Sequence, residues 1–375
     1  VSSSASDQGL GDAAGGAKRA PERTYDPLFV GELAPWFRQR CIGQDGVFSF
    51  DTVAGRFVVL CFYGAASDPL ARKALDQVQA NRGLFDGASR SFFGVSNDAA
   101  DEADARLAPA PGLRHFADVD GAVARAYGVA PRDGALEIAA LRRGWFVMDP
   151  RLRVIATFPL DAAGNAAALA FLKGLPSSAD HGREAHAPVL IIPGVFEPDI
   201  RARLIRHHQA SGGTDSAVLT EAGVLTDHGF KRRRDCPITD KALLDQVQTR
   251  IFRRVVPDIR HAFQFNATRL ERLILAAYDA AERGRFGPHR DNTVAASAHR
   301  RFAVSINLND DFEGGGISFP EFGPRAFRPP AGGALVFSCS LMHAVAPMTR
   351  GTRYACLPFV YDDAAAELRR GRAAP

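Results

Sequence analysis

PHRDN, from Pro288 to Asn292, followed much later by His343 and then Arg353, is the stretch on which the reading of this chain turns. His289 and Asp291 stand two residues apart, so on an extended strand both point to one face and can hold one ion together. With His343 they offer two imidazoles and a carboxylate, the set that grips one side of Fe(II) and leaves coordination positions open. A ten-histidine chain can hold one HxD by chance, yet none of the other nine histidines opens an HxD or HxE. The surroundings sharpen the signal. FAVSINLN (Phe302–Asn309) and GALVFS (Gly333–Ser338) are rich in β-branched and aromatic residues and bounded by Gly, Asp and Pro, so both read as strands. The turn at Gly314–Gly316 leads into a further short strand, ISFPEF. Arg353 follows His343 by ten residues. A guanidinium buried in a barrel is costly without an anion, and its fork fits a carboxylate, so Arg353 reads as a carboxylate clamp.

These residues resemble the prolyl-4-hydroxylase-like group of 2-oxoglutarate/Fe(II) dioxygenases. The likeness rests on Tyr278 in LAAYDA, PHRDN, the EGGG turn, PPAGGALVFSCSLMHAV and TRGTRYA. It implies a double-stranded β-helix (jelly roll) with supporting helices. It also implies Fe(II) held by His289, Asp291 and His343 as the catalytic centre, and Arg353 on the distal carboxylate of 2-oxoglutarate, with Tyr278 adding a hydroxyl. O₂ is the second co-substrate and ascorbate a candidate reductant. The expected reaction hydroxylates a C–H bond of a prolyl or other residue in a peptide or protein. The alternatives are a free amino acid or small metabolite as substrate, and an oxygen- or redox-sensing interaction module with little catalysis. The plainest reading is a jelly-roll or cupin-like domain whose core histidines are merely satisfied.

Upstream the pattern alternates strand and helix, the mark of an α/β domain over residues 25–176. RFVVLCFYG (Arg56–Gly64) is a buried strand feeding a helix that Ser67 or Asp68 can cap. SFFGVSND (Ser91–Asp98) is the next strand, and GWFVMDPRLRVIATFPL reads as a hairpin. With FADVDGAVARAYGV these segments resemble the peroxiredoxin branch of the thioredoxin fold. In that family the peroxide-reducing cysteine opens the helix after the first core strand, where the helix N-terminus lowers the thiol pKa. Here GAASDPLAR stands there without a cysteine. Cys61 lies within the strand, Cys41 lies upstream, and Arg142 or Arg143 matches the family's arginine. The domain is expected to be redox-inactive, with thiol activity through Cys41 or Cys61 as the alternative. A homodimer through it is a candidate assembly.

Residues 1–24 are Ser-, Gly- and Ala-rich without periodicity and read as a disordered tail; residues 177–187, within PSSADHGREAHAP, read as a linker. His181 and His186 fall there as solvated loop residues. The second domain, residues 188–363, opens with a strand, a turn and a helix begun at Pro198. His207 and His208 sit on that helix about 100° apart, cannot chelate as a pair, and read as surface residues. HGFKRRRD (His228–Asp235) carries the run Lys231–Arg234. It reads as a solvated loop, with a groove edge for an acidic substrate as the alternative. Lys241–Phe263 shows helical periodicity and RLERLILAAYDAA returns to strand. Alternation turns Arg290 and Asn292 away from the ligand face, as support. One of His299, Arg300 and Arg301 is a candidate for the substrate mouth, and residues 364–375 read as a frayed tail.

At 375 residues the chain suits two domains, and 46% apolar with 23% charged residues is ordinary for a water-exposed protein. There is no membrane-length apolar run and no leader pattern, which points to a cytoplasmic protein without a membrane partner. Five cysteines without CxxC spacing read as free thiols in a reducing compartment. A charge of +4 is too slight to argue for nucleic acid.

Overall fold

The computed structural model describes residues 24–176, 186–220, 223–271 and 273–371. The tail expected at residues 1–24, but for its last residue, and the linker as far as residue 185, with His181, lie outside the described residues.

The first domain begins with a hairpin, β1 (Arg38–Arg40) and β2 (Val47–Ser49), and a single 3-10 turn at Phe50–Val53. Then come β3 (Phe57–Gly64), α1 (Pro69–Ala80), β4 (Arg90–Ser96), β5 (Leu113–Ala117), α2 (Ala122–Ala126), β6 (Gly144–Met148), β7 (Val154–Pro159) and α3 (Ala162–Gly174). The sheet runs β5-β4-β3-β6-β7, with β3 parallel to β4 and antiparallel to β6. All of β3 is buried because both sheet faces are covered, which is why its sequence shows no polar alternation. Val58, Leu60 and Phe62 face a core shared with Phe50 and Val123, whereas Val59, Cys61 and Tyr63 face Ala71, Ala74 and Leu172 of α1 and α3. Between the two capping residues the sequence allows, the structure selects Asp68. Its carboxylate accepts from the Leu70 and Ala71 amides at 2.9 and 3.1 Å, worth about 1 kcal/mol for a cap of this type.

In the second domain β8 (Val189–Ile192), α4 (Pro198–Ser211), β9 (Thr214–Asp215), β10 (Val218–Thr220), β11 (Gly223–Leu225), β12 (Lys231–Arg232) and β13 (Arg234–Pro237) precede two helices, α5 (Lys241–Arg254) and α6 (Val256–Phe263). The helix expected over Lys241–Phe263 is therefore broken near Val255, because Pro257 has no amide to continue the ladder. There follow β14 (Arg269–Glu271), β15 (Ile274–Asp279), β16 (Arg285–His289), β17 (Phe302–Asn307), β18 (Glu313–Gly314), β19 (Ile317–Ser318) and β20 (Ala326–Phe327). The chain closes with β21 (Ala334–Ser338), β22 (His343–Val345), β23 (Met348–Arg350), β24 (Thr352–Cys356), β25 (Phe359–Tyr361) and α7 (Asp363–Gly371). Residues 364–371, expected in a frayed tail, are instead helical: Asp363 pairs with Arg269 at 2.6 Å and Ala365 is buried.

Two sheets face each other as a jelly roll. The larger runs β14-β25-β17-β24-β15-β13-β9, with β21 pairing β17 and β8 pairing β21; the smaller runs β12-β16-β22-β19-β20. One face of the larger sheet packs on α4, α5 and α6 through Leu204, Leu243, Val247, Ile251, Val304 and Ile306. Its other face meets the smaller sheet over Tyr278, Phe286, Ile317 and Phe337. Along β17, therefore, even positions serve the helix side and odd positions the space between the sheets.

Candidate metal centre

The smaller sheet brings the proposed ligands together by register. His289 ends β16 and His343 opens β22, and the two are directly paired across an antiparallel ladder. Asp291 lies just past the end of β16, where its amide donates to the Cys339 carbonyl at 3.0 Å. One ligand atom of each of the three residues falls within 4.8 Å of the others, and among the described residues this is the one such cluster. The Nε2 atoms of His289 and His343 lie 3.6 and 3.4 Å from the Asp291 carboxylate oxygens.

The donor chemistry fits a divalent metal. The Nδ1 of His289 sits 2.8 Å from the Gly287 carbonyl, and that of His343 sits 3.1 Å from the Leu341 carbonyl. A carbonyl only accepts, so each ring donates from Nδ1 and turns the Nε2 lone pair to the shared space. Burial pushes His343 down to about 4, with His289 acting the same way, so its imidazole is neutral near pH 7. Burial alone would raise the Asp291 carboxyl, but the facing His343 and His289 outweigh it and hold the group ionised. The Phe286 ring stacks on His289 with centroids 3.5 Å apart, and Phe337 lies 4.6 Å from His343, so both imidazoles are wedged by aromatic neighbours.

These three residues line a cavity of about 310 Å³ together with Arg353 and Tyr278 of the larger sheet. Arg353 and Tyr278 are paired neighbours on β24 and β15. Arg353 is 1% exposed, and its fork donates to neutral oxygens, Asn307 Oδ1 at 2.9 Å and Ser305 Oγ at 2.8 Å. Among the described residues no carboxylate lies within ion-pair distance of it, and burial draws its pKa below the ordinary arginine range. The neighbouring cations Arg233 and Arg328 add to that shift. A buried cation held by neutral partners alone keeps the capacity to pair with an anion. The Tyr278 hydroxyl accepts from Arg233 at 2.9 Å rather than standing free.

The basic run departs from the solvated-loop expectation. Lys231 and Arg233 are buried and line the cavity, because β12 and β13 pair with β16 and β15 and alternation sends both side chains inward. Arg233 is matched by Asp235, with Nε 2.8 Å from a carboxylate oxygen, so of these two arginines Arg353 is the one without a carboxylate partner among the described residues. Lys231 Nζ donates to the Ala217 carbonyl at 2.7 Å. His208 is buried rather than surface-exposed, with Nε2 at 3.2 Å from the Arg234 carbonyl. Of the three candidates at the mouth, Arg300 lines the cavity, whereas His299 is bound to Glu271 at 2.6 Å.

In the first domain Arg143, not Arg142, faces the start of α1, where it pairs with Asp68 at 2.9 Å. Arg142 stacks on Tyr25. The helix N-terminus is thus closed by a carboxylate. All five cysteines are free and buried; burial pushes the Cys41 thiol up to about 11 and raises Cys61 further.

Residues 30–157 match the AhpC/TSA family. Elsewhere the chain is similar to PKHD-type hydroxylases. The protein of Synechococcus sp. (strain JA-2-3B'a(2-13)) is 27% identical over 95 residues, covering 24% of this chain and 42% of its own length. That of Verminephrobacter eiseniae (strain EF01-2) is 33% identical over 88 residues, covering 21% and 39%. The chain therefore spans about two fifths of the length of these relatives. A prolyl hydroxylase from Trichoplax adhaerens, solved in complex with a hypoxia inducible factor oxygen degradation domain peptide, aligns with a TM-score of 0.38. It shares 16% identity and covers 50% of this chain and 88% of that one. No helix among the described residues is long and apolar enough to cross a membrane. The chain joins a domain of the AhpC/TSA type, within residues 30–157, to a C-terminal part similar to PKHD-type hydroxylases.

Proposed function

We propose that this protein is a 2-oxoglutarate- and Fe(II)-dependent dioxygenase that hydroxylates a C–H bond in a prolyl or other residue of a peptide or protein. The observation that carries the reading is the pairing, in one cavity, of the His289–Asp291–His343 cluster with the charge-unmatched guanidinium of Arg353. His289, Asp291 and His343 would hold Fe(II) through two Nε2 atoms and a carboxylate oxygen. Arg353 would take the distal carboxylate of 2-oxoglutarate, with Ser305 and Asn307 fixing its fork and Tyr278, oriented by Arg233, beside it. Bound Fe(II) with 2-oxoglutarate and O₂ supplies the oxidation, releasing succinate and CO₂ as a hydroxyl is placed on the substrate. The protein's own tasks are to orient the ligands and to keep water from the reacting carbon with the apolar wall of Phe286, Ile317 and Phe337. Ascorbate is the reductant we would supply. The five buried free thiols favour a reducing, cytoplasmic setting.

The substrate class is tested by incubating the full chain with Fe(II), 2-oxoglutarate and O₂ and a library of proline-containing peptides, read by mass spectrometry. Gain of one oxygen atom on a peptide, dependent on 2-oxoglutarate, is expected. Oxidation of free amino acids but of no peptide would overturn the peptide reading.

A further inference from the structure

Arg290 stands in the chain between two of the proposed metal ligands, and its side chain is only 1% exposed. Its guanidinium forks onto Glu321 at 2.9 and 3.1 Å and donates to the Ser340 carbonyl. Glu321 also accepts the amide of Met342, the residue before His343, at 2.8 Å. The Arg290–Glu321 pair thus ties the segment bearing His289 and Asp291 to the segment bearing His343. The remaining nitrogen, Nε, donates to Asp51 of the first domain at 3.2 Å, and Trp36 of that domain covers the guanidinium at 4.3 Å. Asp51 is itself held by the Ser49 hydroxyl at 2.5 Å. Met342 packs into the first domain's core beside Phe50 and Phe62. Arg38, Ser49, Asp51 and Thr52 of the first domain also line the cavity that holds the ligands.

We propose that Asp51 is a positioning residue for the metal centre, so that the AhpC/TSA-type domain is a structural part of the second domain's active site. The proposal rests on the reading of His289, Asp291 and His343 as metal ligands. A guanidinium buried this deeply needs its carboxylates: without Asp51, Nε has no acceptor and Arg290 must shift toward water, carrying both neighbouring ligands with it. Loss of a partner that orients ligands costs roughly 10- to 100-fold in metal affinity. This gives the domain a task that does not require the thiol it lacks.

The test uses the full chain and Mn(II) as probe, with free Mn(II) followed by electron paramagnetic resonance and folding checked by thermal melting. Asp51→Ala is expected to bind Mn(II) roughly 10- to 100-fold more weakly than wild type. Asp51→Asn, which keeps an acceptor and the side-chain shape, is expected to recover most of the affinity while shifting the ligand-field bands of the Co(II)-loaded protein. Arg151→Ala removes a different contact between the domains, the guanidinium 5.0 Å over the Phe322 ring, and is expected to bind Mn(II) as wild type does. Should Asp51→Ala fail to fold, the Asp51→Asn spectrum decides, and bands identical to wild type would overturn the proposal. Wild-type affinity in a folded Asp51→Ala protein, or equal weakening in Arg151→Ala, would overturn it as well. Failure of the wild type to bind Mn(II) is a separate result that removes the metal reading and this proposal with it.

Discussion

Replacing Arg353 with Met separates co-substrate binding from metal binding. The guanidinium is 1% exposed and held by Asn307 and Ser305, and the nearby Arg233 is already matched by Asp235. In Arg353→Met the distal carboxylate of 2-oxoglutarate would enter the same space without a cation of its own. Removing one side of a buried ion pair costs about 3–5 kcal/mol. At about 1.4 kcal/mol per tenfold, that is a hundredfold to several-thousandfold loss of affinity. Anaerobic calorimetric titration of the Mn(II)-loaded protein reads this directly. A thermal shift supplies the second readout. At a 2-oxoglutarate concentration of 100 Kd the wild type gains about 2.7 kcal/mol. For a domain of 150–250 residues that is a rise of about 5–10 °C, and the variant should show about 1 °C or less at the same concentration. Without ligand, Arg353→Met should melt no lower than wild type, because an unmatched buried charge has been removed. Unchanged 2-oxoglutarate affinity, or loss of Mn(II) binding with 2-oxoglutarate binding intact, would refute the role assigned to Arg353.

Other consequences are simpler to measure. Ile306→Ala should destabilise the second domain by about 2–5 kcal/mol in urea denaturation, since Ile306 is fully buried between the larger sheet and the helices. A cost below about 1 kcal/mol would mean that this core is not packed as described. With the Cys41 thiol pushed up to about 11, roughly one in a thousand is ionised at pH 8, and Cys61 is buried and higher still. Neither should be alkylated by iodoacetamide in the native protein, and both should be in denaturant; rapid native labelling would revive a thiol activity.

Much of this architecture is legible in the sequence because short-range rules carry it. His289 and Asp291 are linked by strand alternation, and β3 announces itself by an unbroken apolar run that only a doubly covered strand tolerates. The rest is set by long-range pairing. Lys231 and Arg233 look like a charged loop until β12 and β13 pair with β16 and β15. One local hint was available in FAVSINLN, where Ser305 and Asn307 recur at alternate positions within an apolar strand, on the face that holds Arg353. Nothing local marks Asp51, whose partner Arg290 lies in the other domain. His208 reads as exposed because helical spacing shows which residues share a face but not which strand, here β13, covers it. The helix Asp363–Gly371 is not evident locally because its anchor, Arg269, is distant in sequence.

The central claim is tested most directly by reconstituting the protein anaerobically with Fe(II), admitting O₂ in the presence of 2-oxoglutarate, and following succinate in the wild type and in His289→Ala. The account predicts succinate from the wild type that depends on 2-oxoglutarate and disappears in the variant. Wild-type protein that binds neither Fe(II) nor 2-oxoglutarate and releases no succinate would contradict it.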